Sequence, residues 1–140
     1  MLFAMTHAVQ KAFKIRAYLT PDQRRAFAQA EGATRYVRRR VLTEMDKHFK
    51  ATGTRKTLLE MGREVTQWKQ AEETAWLKDI PSDVIVQELR DLKQAFEHFF
   101  RALKAKSPGR RVGYPKPKRK SSAGAIRFAF DHRHPGKVAG

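Results

Sequence analysis

The spacing of apolar and polar positions changes period several times along the chain. Ala12 to Leu19 alternates, with Phe13, Ile15 and Ala17 on one face and Lys14, Arg16 and Tyr18 on the other, the period of a half-buried strand. Thr20-Pro21-Asp22-Gln23 then carries a helix start: Thr20 caps, Pro21 suits the first helical position and Gln23 completes the capping box. Helical spacing continues through Phe27 and Ala30, and Gly32 reads as an interruption. A second helix sets Tyr36, Val37, Val41, Leu42, Met45 and Phe49 on one side and ends before Thr52-Gly53. Residues 55–70 repeat the pattern more weakly with Leu58, Leu59, Met61, Val65 and Trp68, and Trp76 and Leu77 pin the connection that follows. Ser82 caps the clearest helix, in which Ile85, Leu89, Leu92, Phe96, Phe99 and Leu103 step by three and four residues, with Phe100 broadening the stripe. Ala125 to Phe130 alternates again, with Ile126, Phe128 and Phe130 opposite Arg127.

These elements predict a mainly α fold: a helical bundle over about residues 20–104, inserted between strands whose ends meet in one small sheet. Two strands alone are marginal, so that sheet is incomplete and lacks partners. Residues 105–122 form a basic loop, and 131–140 form a flexible, disordered tail with no terminating element, so the chain reads as truncated.

Charge sharpens this picture. The chain has 140 residues, the size of one domain, and a net charge of +16. Residues 101–140 carry twelve Lys or Arg against one acid, Asp131, while the first hundred residues carry only a basic bias. From Lys104 to Ser122 the cations are interleaved with Gly, Pro and Ser, a composition that buries no core but can lie along phosphates and release their counterions. A charge run is often only a solubilising tail, and that is the rival reading. On the second helix Arg35, Arg38 and Arg39 can share one stripe; Arg40 cannot join it. Lys14, Arg16, Arg35, Arg38 and Arg39 are therefore the candidate phosphate contacts of the folded part, with Arg127 on the returning strand. Lys116, Lys118, Arg119 and Lys120 are the candidates of the loop, where Tyr114 could stack on a base. The implied partners are structured RNA and DNA, with no membrane and no small-molecule substrate.

Other chemistry is excluded or unsupported. With no cysteine there is no disulfide framework, thiol nucleophile or Cys-ligated zinc, which fits a cytoplasmic protein. No window approaches a membrane span. Most acids, Glu31, Asp46, Glu88 and Asp91 among them, fall on amphipathic helices and read as solvated faces. Asp131, His132 and His134 sit in a Gly/Pro tail and do not read as metal ligands. There is no phosphate-binding glycine loop, HExxH or nucleophile elbow, so the sequence assigns no catalytic residue, metal or cofactor.

Four segments in order resemble one family. Lys11-Ala-Phe-Lys-Ile-Arg-Ala-Tyr-Leu-Thr-Pro-Asp-Gln23 is similar to the opening strand and helix of TnpB-type (OrfB) proteins of bacterial insertion sequences, and Gly32-Ala-Thr-Arg35-Tyr36-Val37 to the next helix start. Trp76-Leu-Lys-Asp-Ile80-Pro81-Ser82, with Leu89-Arg90-Asp91-Leu92, Ala95-Phe96 and Phe99-Phe100, matches best. Tyr114-Pro-Lys-Pro-Lys-Arg-Lys120, followed by Ile126-Arg127-Phe128, resembles the basic loop and returning strand. The resemblance covers roughly residues 11–130 and implies the N-terminal part of an RNA-guided DNA endonuclease of the kind long labelled transposases. That part is called a helix-turn-helix domain and resembles a wedge-like β-barrel interrupted by a recognition bundle that holds guide RNA, heteroduplex and the motif flanking the target. Cutting belongs to a separate three-carboxylate, Mg²⁺-dependent domain for which this chain has no room. Arg39-Arg40 stand where members often have Asn-Trp, and Pro117 where an aromatic is common. A non-catalytic DNA- or RNA-binding regulator, or a degenerate transposase fragment, remains the alternative.

Overall fold

Three α-helices and one 3₁₀ segment carry the computed structural model, which describes residues 11–105, 111–120 and 124–128. Helix α1, Pro21–Thr52, starts as its capping chemistry dictates: the Gln23 N–H donates to Thr20 Oγ1 at 3.3 Å and the Thr20 N–H donates to Gln23 Oε1 at 3.0 Å. It stops at Gly53, whose φ of 72° places it in the left-handed region while its N–H donates to the Phe49 carbonyl at 2.8 Å. Helix α2, Leu58–Gln70, opens on a second capping box, with the Glu60 N–H donating to Thr57 Oγ1 and the Thr57 N–H to Glu60 Oε2. The 3₁₀ segment Glu72–Asp79 is tied back by the Thr74 hydroxyl, which donates to the Trp68 carbonyl, and by fully buried Leu77. Helix α3, Ser82–Ala105, follows Pro81. Ser82 is its first helical residue rather than its cap, and Ser82 Oγ accepts from Lys69 Nζ at 3.4 Å.

Helix α1 packs along α3, while α2 packs against the 3₁₀ segment and α3. The shared core takes Ala33, Val37, Val41 and Met45 from α1, Met61, Val65 and Trp68 from α2, and Ile85, Leu92 and Phe96 from α3. The α3 stripe is thus buried at its centre, while Phe99 and Phe100 are half-buried and Leu103 lies open in the last turn.

One further expectation about the elements is corrected, and the expected sheet stays unconfirmed. Gly32 does not interrupt a helix; α1 runs straight through it for 32 residues. A helix-interior glycine costs about 1 kcal/mol against alanine. The turns beyond it bury Val37 and Val41 completely, each worth about 1.5 kcal/mol or more. Continuing the helix therefore wins. Nor does a sheet form among the described residues. Residues 11–20 carry no strand and are all exposed, with Phe13 at 83% and Ile15 at 84%. Residues 124–128 carry none either, and the rest of the expected returning strand, like the tail 131–140, lies outside the described residues. Alternation assigns the faces of a strand but supplies no ladder partner, and neither segment meets one here.

Candidate nucleic-acid interface

Residues 111–120 return to the bundle instead of leaving it. The Tyr114 ring meets Phe96 and Phe99 edge-on, with centroids 5.4 Å away in each case, and its hydroxyl donates to Asp46 Oδ1 at 3.3 Å. Burial, then the Asp46 carboxylate, pushes the Tyr114 phenol above its ordinary value, so it stays a neutral donor. Arg55 covers this aromatic cluster, its guanidinium carbon 4.8 Å from the Phe100 centroid and 5.2 Å from that of Phe49. Pro115 is buried. At the next residue the backbone is held directly: Arg38 Nε donates to the Lys116 carbonyl at 2.8 Å.

The same arginine reaches a buried acid. Arg38 Nη1 donates to Glu88 Oε1 at 3.1 Å, and Lys118 Nζ donates to Glu88 Oε2. Glu88 is 3% exposed, so its reading as a solvated residue is corrected: it is the buried hub of an ion cluster whose cations reach toward solvent. A carboxylate this deep needs compensating charge, and two cations on separate segments provide it. Its position carried the signal, because Glu88 falls three residues after Ile85 and four before Leu92, on the buried stripe itself.

The remaining candidate cations divide into two sets. Arg35 pairs with Glu31, four residues earlier on α1, and Arg127 pairs with Asp91 on α3. Arg38, Lys118 and Tyr114 have the internal partners just described. Lys14 and Arg16 stand on the exposed lead-in, and Arg39, Lys116, Arg119 and Lys120 are exposed. A cavity of about 240 Å³ is lined by Glu31, Thr34, Arg35, Lys118, Arg119 and Gly124. A Cβ on Gly124 would meet the Glu31 carboxylate, so a larger residue there requires that side chain to swing aside. Arg40 faces the other way, its guanidinium carbon 4.1 Å from the Trp68 centroid.

The family HTH_OrfB_IS605, a helix-turn-helix domain, matches residues 5–53. The chain is 30% identical over 118 residues to an Escherichia coli (strain K12) protein named as an RNA-guided DNA endonuclease, InsQ, covering 84% of this chain and 27% of that protein. It is 31% identical over 134 residues to a Streptomyces pristinaespiralis protein named as an RNA-guided DNA endonuclease, covering 93% of this chain and 31% of the relative. The N-terminal part of the chain carries the helix-turn-helix domain of the OrfB family, and over most of its length the chain is similar to a TnpB-type RNA-guided endonuclease. The chain spans about three-tenths of the length of these relatives.

A helix-turn-helix domain implies nucleic-acid binding. Within the matched span, however, the described residues hold a single helix, α1, so among them no second helix is set across a turn for insertion into a groove. What α1 offers is an edge of arginines beside a docked basic segment. Among the described residues no three His, Cys, Asp or Glu side chains come together as a metal site. Asp131, His132 and His134 lie outside them. No described helix is long and apolar enough to cross a membrane.

Proposed function

We propose that this chain is a nucleic-acid-holding module of a transposon-encoded, RNA-guided DNA endonuclease, gripping the backbone of guide RNA and of the DNA paired with it. The observation that carries this reading is the seating of residues 114–118 along α1. Arg38 holds the backbone of the basic segment at Lys116 and is itself held by Glu88, and the side chains of Lys116, Lys120 and Arg39 are exposed. A polycation held in one shape costs less ordering on binding than a free tail does, and it favours ligands whose phosphates match that shape. Lys14, Arg16, Arg119 and Arg127 extend the same field. Arg35 adds to it where a phosphate displaces Glu31.

The names of the relatives support RNA as a partner, and the resemblance supports assigning the cut to a part of the protein beyond this domain. On this reading the segments that alternate in sequence, Ala12 to Leu19 and Ala125 to Phe130, pair in a wedge-like sheet completed by the rest of a longer protein. Phe13 and Ile15 would gain cover there.

Replacing Arg39, Lys116 and Lys120 by Ala together tests the interface. Each lost phosphate contact reduces the slope of log affinity against log salt by about 0.9 on duplex DNA and about 0.7 on single strands, so the triple variant should be shallower by roughly three units on duplex DNA and roughly two on single strands. Unchanged affinity and slope would remove this face from the account.

A further inference from the structure

Gly32 is out of place by the rules of helix chemistry. It is the twelfth residue of the 32-residue α1, at a cost of about 1 kcal/mol against alanine. Packing does not supply the reason, because a Cβ at Gly32 would meet no atom within 4 Å. The open space is a cleft of about 410 Å³ between α1 and the 3₁₀ segment, lined by Gln29, Gly32, Ala33, Trp76, Asp79 and Ile80.

Trp76 forms one wall and is 41% exposed. Its orientation is fixed from behind: Tyr36 meets it edge-on at 5.2 Å and 67°, and the Tyr36 hydroxyl accepts from Arg40 Nη1 at 2.9 Å. Buried Leu77 and the Thr74–Trp68 hydrogen bond hold the backbone on either side. The cleft therefore combines an immobilised indole, an apolar floor of Ala33 and Ile80, and two polar groups, the Gln29 amide and the Asp79 carboxylate. A planar heterocycle with ring N–H or amino edges fits that set, since an amide and a carboxylate can read its donors and acceptors while the indole packs on the ring. A bare phosphate does not fit, because Asp79 would repel it. Along α1, Arg35 and Arg39 follow Gly32 on the same edge within about two turns, so a strand tracking those cations passes the cleft mouth.

We infer that the Gly32–Trp76 cleft receives one unstacked nucleobase of the bound nucleic acid. The inference rests on the nucleic-acid reading above and deepens it: phosphates are held by the cations, and one base is read or stacked here.

Gly32→Leu tests it directly. Leucine favours the helix more than glycine and projects into the cleft, so the melting temperature should match or exceed that of the unaltered chain. Affinity is measured for a single-stranded RNA, its DNA counterpart and the same strands made abasic. The unaltered chain should prefer base-bearing strands by about tenfold or more, and Gly32→Leu should lose that preference while keeping the salt slope of the abasic strands. A preference confined to the RNA or to the DNA strand would identify the source of the base. Tryptophan emission should be quenched by base-bearing strands in the unaltered chain and not in the variant, because Trp68 is buried and Trp76 is the exposed reporter. Should Gly32→Leu fail to fold, Trp76→Leu is read by the same difference, with Trp76→Phe restoring part of it. Equal base preference with the cleft filled or without its indole overturns the inference and leaves the phosphate interface standing. Absence of any nucleic-acid binding overturns both.

Discussion

Replacing Glu88 by Ala should destabilise the chain more than any change on its basic surface. The substitution removes the one acid shared by Arg38 and Lys118 and leaves both cations facing a cavity. Breaking a buried ion pair from one side costs about 3–5 kcal/mol when the remaining charge stays dry. Here the Arg38 side chain is 13% exposed and that of Lys118 35%, so both regain some water and the cost falls to about 2–3 kcal/mol. For a chain of this size that corresponds to a fall in melting temperature of roughly 6–10 °C. Glu88→Gln keeps the volume and an acceptor for Arg38, and should lose about half as much. Circular dichroism melts and denaturant titrations, with the m-value checked for constancy, measure both variants. Segment 114–118 should also become more sensitive to protease, since Arg38 no longer has a fixed position from which to hold the Lys116 carbonyl. A Glu88→Ala chain melting within about a degree of the unaltered one would refute the reasoning. Glu88 would then contribute no more than a surface ion pair, about 0–1 kcal/mol.

Three other outcomes follow from the same contacts. Tyr114→Phe should cost about 1 kcal/mol or less, because it loses one exposed hydrogen bond to Asp46, whereas Tyr114→Ala strips two edge-on ring contacts and should cost about 2–3 kcal/mol by denaturant titration. The Glu60 carboxyl is held below its usual value of 4.5 by the Thr57 N–H and hydroxyl, so its contribution to capping α2 is complete above that value and disappears as pH falls through the lower folded-state value; an acid titration of stability should show this loss in the unaltered chain and not in Glu60→Gln. Gly53→Ala forces a Cβ into the left-handed region and should destabilise the end of α1 by about 1 kcal/mol in thermal melts, although no neighbour stands in the way of the methyl group.

The local chemistry of this chain was legible wherever neighbouring residues decide the outcome. Thr20 and Gln23 announce the start of α1, and the stripe of Ile85, Leu92 and Phe96 gives both the helix and its buried face. Gly32 misled because a fixed local cost was set against burial gains from Val37 and Val41, which depend on α3 lying alongside. The strand expected at Phe13 and Ile15 is unconfirmed, because period two describes a face while a strand exists only with a ladder partner, and none stands among the described residues. The candidate interface was less legible still. Arginines 35, 38, 39 and 40 look alike in sequence, yet four different partners decide their roles: Glu31 for Arg35, Glu88 for Arg38, solvent for Arg39 and the Trp68 ring for Arg40. Tyr114 read as a stacking residue and is an anchor, since its partners Phe96 and Phe99 lie on a helix earlier in the chain. Only Glu88 could have been found in advance, from an acid placed on an apolar stripe.

The most direct test of the central claim is the affinity of this chain for a structured RNA, a DNA duplex and a DNA single strand, each titrated across salt. A docked basic surface predicts that the structured RNA is preferred and that the preference survives as salt rises, because shape and base contacts persist when counterion release weakens. Equal binding to all three, falling together and steeply with salt, would contradict the account and reduce the chain to a polycation.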